Sequence, residues 1–353
     1  MSQLSPDTGL TGPALGDTDL CAFVEAAAVK RMGNNSRVSR IERKLYDYHS
    51  SFAIEELVVV FENGTRLPLI FKNLSADGLL AYARQIRPQF SYHPTREIAV
   101  YQEILAGADL GTATCYGALI DPEARRYWLL LEKVVGDVLS KTGEFSIWCD
   151  VARWLADVHC RLAGVVERHP QAASLLSYDQ EFYDVWIDRA EHFCGQRRFA
   201  AAEIAPQQMK WLADQCRLAV RYVCRLPPTF IHGEFYASNV LIKRCGNHVR
   251  ICPIDWETAA IGSGLLDLAA LVAGSWTEQQ RIELAMAYYD ALPSANRTYG
   301  DPDEFLTALR CCRLFTAIKW LGWSSDWQAP DEHQCDWLAE AMQLAPAIEA
   351  DRK

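Results

Sequence analysis

Apolar side chains return every three or four residues over Leu20–Arg31, the rhythm of a short helix, with Asp19 placed to cap it and Gly33 close after its end. From Val38 the pattern shortens to that of strands. Val38–Leu45, Phe52–Glu62 and Leu67–Lys72 are predicted strands, and Glu62-Asn63-Gly64-Thr65 is a hairpin turn in which Asn63 and Gly64 supply positive φ angles. Pro94–Leu105 returns to helical spacing through Ile98, Tyr101 and Leu105, followed by strands at Thr112–Leu119 and Tyr127–Val135 on either side of a turn at Asp121-Pro122.

Beyond Gly136 the pattern is helical. The predicted segments are Phe145–Leu162, Phe182–Phe193, Gln207–Arg225, Leu265–Ala273, Glu278–Leu292, Pro302–Trp320 and His333–Ile348. Two short apolar runs, 230–242 and 249–257, interrupt the helices and are joined through Cys245-Gly246-Asn247. The chain thus reads as α+β: a tail and short helix over 1–35, a β-rich unit over 36–135 holding one principal helix, and a helical unit over 136–353.

Composition narrows the class. With 353 residues, half of them apolar, the chain can bury a large core in two lobes. A formal charge of −10 argues against a non-specific nucleic-acid or anionic-membrane binder. It fits a cationic small substrate, but an acidic balance is more often just that of an ordinary soluble enzyme. The twelve cysteines follow no paired spacing, which predicts reduced thiols in a cytoplasmic protein, most of them packed as small hydrophobes. The first nineteen residues lack the basic start and apolar core of a signal peptide, and Leu265–Ala273 is too short and too interrupted to span a bilayer.

The chemistry concentrates between Phe230 and Glu257. Glu234 stands five residues before Asn239, and Asp255 ends the next strand. An acid to orient a hydroxyl, with an amide and a second acid to hold Mg²⁺ on nucleotide phosphates, is the equipment of phosphoryl transfer. Local capping of the hairpin is the alternative for Asn239 and Asp255.

With His232-Gly233-Glu234-Phe-Tyr-Ala-Ser-Asn239, then Ile254-Asp255-Trp256-Glu257, then Gly262 and Asp267-Leu268-Ala269, the chain resembles the aminoglycoside phosphotransferase and choline kinase-like family. That resemblance extends over about residues 36–345 and is specific in 230–270. It implies a two-lobed protein kinase-like fold, with a small β-rich N-lobe and a larger helical C-lobe. It also implies a small-molecule kinase that uses ATP or GTP with Mg²⁺, the nucleotide lying in the cleft between the lobes.

The family has Asp where this chain has Glu234, one methylene longer. The reading is therefore a catalytic Glu234 beside the metal ligands Asn239 and Asp255, and the competitor is a silent module that binds nucleotide or a partner without transferring phosphate. Lys72 matches the phosphate-gripping lysine, with Glu97 as its partner and Glu103 as the alternative. Ser50 and Ser51 stand where a glycine-rich loop would otherwise hold phosphate, or form a plain turn. Glu132 and Val134 are the hinge positions whose main chain would meet the base. His232 reads as a brace, Asp267 as a brace or a cap of the Leu265 helix, and Glu257 as a surface residue in preference to a contact of metal-bound water.

The expected partner is a small-molecule hydroxyl acceptor, aminoglycoside-like, sugar or amino alcohol. Neither nucleic acid nor membrane is expected, and the chain would be a monomer or homodimer. Trp320, Trp323, Trp327 and Trp337, near Asp326, Asp331 and Glu332, could receive a sugar ring or ammonium group, or could simply pack the terminal helices. A protein kinase is disfavoured, because the loop lacks His-Arg-Asp, Asp255 is followed by Trp-Glu, and no Ala-Pro-Glu segment follows.

Overall fold

Strands and helices segregate along the chain as the apolar rhythm requires. A computed structural model describes residues 17–32, 37–46, 51–168, 174–194, 204–246, 248–323 and 335–350. The chain divides into two compact units, one made of 1–85 with 114–133 and the other of 86–113 with 134–353.

The first unit is a five-stranded antiparallel sheet built from β1 (Val38–Leu45), β2 (Ile54–Phe61), β3 (Arg66–Asn73), β4 (Cys115–Asp121) and β5 (Arg126–Glu132), in the order β1-β2-β3-β5-β4. The β2–β3 turn departs from expectation. Gly64 alone takes a positive φ, +82°, while the Asn63 side chain accepts a hydrogen bond from the Thr65 N–H at 2.9 Å. The Phe61 N–H donates to the Thr65 carbonyl, so three residues form the loop and only the last must be left-handed.

Helix α1 (Asp17–Met32) lays Leu20, Val24, Ala27 and Ala28 on one face of the sheet, against Leu57, Phe71 and Trp128. Burying each such side chain is worth about 1.5–3 kcal/mol, which is what fastens the helix to the sheet. A short helix α2 (Ala81–Ile86), not anticipated from the sequence, follows the sheet's third strand.

The second unit begins with α3 (Arg96–Ala99), a shorter helix than the sequence suggests. It widens into a π turn over Val100–Ile104, where the Leu105 N–H reaches the Val100 carbonyl at 2.9 Å. The helical body comprises α4 (Phe145–Arg161), α5 (Val165–Arg168), α6 (Gln180–Cys194), α7 (Pro206–Val223), α8 (Leu265–Leu271), α9 (Glu278–Ala291), α10 (Pro302–Leu321) and α11 (Trp337–Ala350). Helix α10 runs through the middle of the core, with Phe305, Leu309, Cys312 and Phe315 on its buried stripe.

Two three-stranded sheets interrupt these helices. One has the order β10-β9-β6, from β6 (Asp137–Val138), β9 (Val240–Cys245) and β10 (His248–Pro253). The other has the order β7-β11-β8, from β7 (Leu176–Ser177), β8 (Pro228–Ile231) and β11 (Ala260–Ser263).

Trp320 stacks on Trp337 at 5.7 Å and Trp323 on Trp186 at 5.5 Å, so these tryptophans pack the terminal helices. Trp327, Asp326, Asp331 and Glu332 lie outside the described residues, as does Ser50. Among the described residues no helix is long and apolar enough to cross a membrane.

Candidate active site

The loop from β8 to β9 is held by its own backbone before any side chain acts. Gly233 has φ +83°, and a Cβ there would fall 2.4 Å from the Thr258 carbonyl oxygen, so the position needs glycine for conformation and for space. Asp267, in the first turn of α8, accepts the N–H groups of His232 at 2.7 Å and Gly233 at 2.9 Å. The His159 ring also reaches this carboxylate, at 3.3 Å. Asp267 is therefore a brace, as its sequence position suggests.

His232 braces too. The Ile254 carbonyl can only accept, so Nε2, 2.9 Å away, carries the ring hydrogen, and Nδ1 accepts the Glu234 N–H at 3.3 Å. Both bonds suit the neutral imidazole. Burial pulls the His232 pKa below its ordinary value, against the opposing pull of Asp267 and the Ile254 carbonyl.

Two of the three predicted catalytic residues flank one hairpin, and the third, Glu234, lies on the loop that leads into it. Val240 of β9 pairs with Pro253 of β10, and the Asn239 carbonyl accepts the Ile254 N–H at 2.9 Å, so Asn239 and Asp255 leave the same paired end. The Asn239 side-chain NH₂ donates to the Glu234 carbonyl at 3.0 Å. This assigns the amide orientation and turns its oxygen, the atom a cation needs, the other way. Asp255 sits in the left-handed region, φ 66° and ψ 60°, unusual for a residue with a side chain. An amide oxygen and a carboxylate at one hairpin end are hard oxygen donors of the kind that hold Mg²⁺ together with substrate phosphates.

Around them stand charges that the sequence did not flag. Lys319 of α10 is buried, with Nζ 3.4 Å from a Glu234 carboxylate oxygen and 3.4 Å from the Gly233 carbonyl. Burial opposes its charge, yet Tyr178, Glu234 and Tyr236 raise its pKa, so it stays an ammonium.

Glu257 is not at the surface. It is buried, 2.8 Å from the buried Arg87 guanidinium, because a carboxylate inside the fold needs an ionic partner. Burial raises the Glu257 pKa, with Arg87 opposing. Arg87 also feels Glu234 and Asp255, and against burial its own pKa rises. Arg96 donates to the carbonyls of Ser91, Glu257 and Ser174. Burial, then repulsion from Arg87, pulls Arg96 down to about 10, still cationic at neutral pH.

The remaining predicted residues lie as follows. Lys72 is buried on β3, between Ile54 of β2 and Leu129 of β5, in the first unit. Glu97 is buried on α3 in the second unit. Ser51 is half-buried, and its carbonyl accepts the Leu80 N–H. The Glu132 carboxylate accepts the Thr114 N–H at 3.1 Å, and its own N–H donates to the Thr114 carbonyl. The Lys133 N–H is also engaged, with Pro68, so the next main-chain donor is that of Val134.

Within the second unit a cavity of about 540 Å³ is walled by Trp148, Trp276, Trp337, Tyr236 and Ala237, with Lys141 as a polar member. Two of these residues belong to the loop between Glu234 and Asn239, so the cavity adjoins that loop. Its size suits a small-molecule ligand.

The chain is similar in structure to an aminoglycoside 2′-phosphotransferase IIIa in its GDP complex, at 12% identity over 96% of this chain and 100% of that one, with a TM-score of 0.52. It is similar also to a Plasmodium vivax ethanolamine kinase, at 11% identity over 87% and 82%, TM-score 0.53. A third likeness is to a microcompartment-associated aminopropanol kinase, at 14% identity over 92% and 95%, TM-score 0.56. Likeness at these identities establishes the α+β kinase-like fold. No curated relative matches by sequence. The family model described as "Phosphotransferase enzyme family" matches residues 82–304, well over half of the chain. The chain belongs to the phosphotransferase enzyme family.

Proposed function

We propose that this phosphotransferase moves the γ-phosphate of ATP or GTP to an alcohol of a small molecule, with Glu234 as the acceptor-orienting base and Asn239 with Asp255 as the metal ligands. The observation that supports the reading is the hairpin end, where Asn239 and Asp255 flank the paired strands β9 and β10 and the Glu234 carbonyl takes up the Asn239 NH₂.

Glu234 would accept the proton of the acceptor hydroxyl as that oxygen forms its bond to the γ-phosphorus. The bond to the β–γ bridging oxygen breaks, and its electrons leave on the nucleoside diphosphate. When bound, Mg²⁺ supplies charge neutralisation on the phosphate oxygens. Because that transition state is loose, position and charge matter more than the strength of the base, and a carboxylate one methylene longer than Asp can serve. Lys72 would hold the phosphates, and Ser50 and Ser51 would donate to them. The Glu132 carbonyl and the Val134 N–H would meet the base.

The cavity beside Tyr236 and Ala237 would take the acceptor, its tryptophan faces packing against a ring or an ammonium group. The relatives named for aminoglycoside, ethanolamine and aminopropanol acceptors suggest a hydroxyl carried near an amine.

Incubating the protein with ATP or GTP, Mg²⁺ and a panel beginning with kanamycin, ethanolamine and aminopropanol, and reading each acceptor for one added phosphate, tests this. Glu234→Ala should lower turnover by about 10²–10⁴-fold. Nucleotide binding with no acceptor consumed would make the chain a nucleotide-binding module instead.

A further inference from the structure

A lysine inside a helix core is expensive unless its charge is used. Lys319 lies on the buried stripe of α10, one turn beyond Phe315, where every neighbouring stripe position is apolar or small. Its Nζ reaches out of the stripe to two atoms of one loop, the Gly233 carbonyl and the Glu234 carboxylate, each at 3.4 Å.

The ammonium has an aromatic neighbour as well. It lies over the Trp186 ring, 5.8 Å from the centroid, and Trp186 is stacked on Trp323. Arg189 fixes the end of α10 by donating to the carbonyls of Gly322 and Trp323, both at 2.9 Å. Lys319 thus projects from a rigid helix end that several contacts locate.

Glu234 needs such a partner. Compared with Asp, a Glu side chain has one more free torsion between backbone and carboxylate. The backbone here is already pinned, since the Glu234 carbonyl accepts from both the Tyr236 N–H and the Asn239 side chain. The uncertainty left in the aim of the carboxylate is therefore rotameric, and a rotamer-rich side chain left free spends much of its time misaimed.

From this geometry we propose that Lys319 is a positioning residue for phosphoryl transfer, holding the Glu234 carboxylate and the Gly233 peptide in the one arrangement that presents the base to the acceptor hydroxyl. The proposal rests on the reading of Glu234 as that base.

A double-mutant cycle tests it. Turnover to ADP is measured for the wild type, Lys319→Met, Glu234→Ala and the double variant, with kanamycin, ethanolamine and aminopropanol as acceptors and water as the background acceptor. Lys319→Met should lower kcat by about 100-fold, the scale of a misplaced catalytic group, with the KM for ATP within about twofold of wild type. In the Glu234→Ala background the same substitution should cost less than about threefold, because the group it positions is gone.

Lys319→Arg, which keeps the charge, should recover part of the loss. Melting temperatures are recorded for every variant, and Lys319→Gln replaces Lys319→Met in the cycle if the latter does not fold. Equal losses in both backgrounds, or a lowered melting temperature with unchanged kcat, would overturn the role of Lys319. Full activity in Glu234→Ala alone would instead overturn the assignment of the base.

Discussion

One carboxylate, that of Asp267, holds two successive peptide groups, the N–H of His232 and the N–H of Gly233, and so sets the loop that presents Glu234. Asp267→Asn keeps the shape but offers an amide whose NH₂ would face a backbone donor. Losing one charge-assisted bond should cost about 1.5–3 kcal/mol in urea unfolding, together with a fall in kcat. Unchanged unfolding would mean that the loop is fixed by other contacts.

Removing the Arg87 guanidinium strands Glu257 inside the protein. Arg87→Met should lower stability by about 3–5 kcal/mol. Arg87→Met with Glu257→Met together should recover much of that, because no buried charge is then left unpaired. Two single losses that simply add would contradict the pairing.

Acidification should weaken the fold through His232. Its folded pKa is depressed, so below about pH 6.5 the unfolded chain takes up a proton that the folded chain does not. Its contribution to stability is fully present above that pH. It is lost progressively as pH falls toward the folded pKa. Exposed His93 is shifted the same way, by desolvation and then Arg96. Unfolding free energies at pH 7.5, 6.5 and 5.5 should fall in that order, with a smaller slope in His232→Gln. A slope equal to wild type in that variant would remove His232 from the account.

Filling the tryptophan-walled cavity separates acceptor from nucleotide. Ala273 lines it, and Ala273→Trp should raise the acceptor KM by about tenfold or more while leaving the KM for ATP within twofold. A change in the ATP value alone would place the acceptor elsewhere.

Local features were readable in the sequence, and distant pairings were not. The strands Val38–Leu45 and Leu67–Lys72 show in the turn residues Asn63 and Gly64 that separate strand-like runs, and the loop 232–239 shows in its residue order. Glu257 was misread because its partner Arg87 is 170 residues away, and no local pattern distinguishes a solvated glutamate from a buried one. Lys319 left a trace, a cation at helical spacing on an apolar stripe, but its partner is 85 residues distant. The π turn at Val100–Ile104 has no counterpart in the spacing of apolar residues, which reads the same for either kind of helix. At the β2–β3 turn, an Asn-Gly pair suits both a two-residue and a three-residue loop, and strand register decides between them.

The left-handed backbone at Asp255 restricts what can ever stand there. Asp, Asn and Gly accept that conformation readily, whereas branched or bulky side chains pay for it in strain. Conformation, together with the ligand role proposed for Asp255, thus narrows the choice to one short carboxylate. Asparagine satisfies the first demand while weakening the second, so exchanging Asp255 for it would strip charge from the hairpin end without refolding the chain around it.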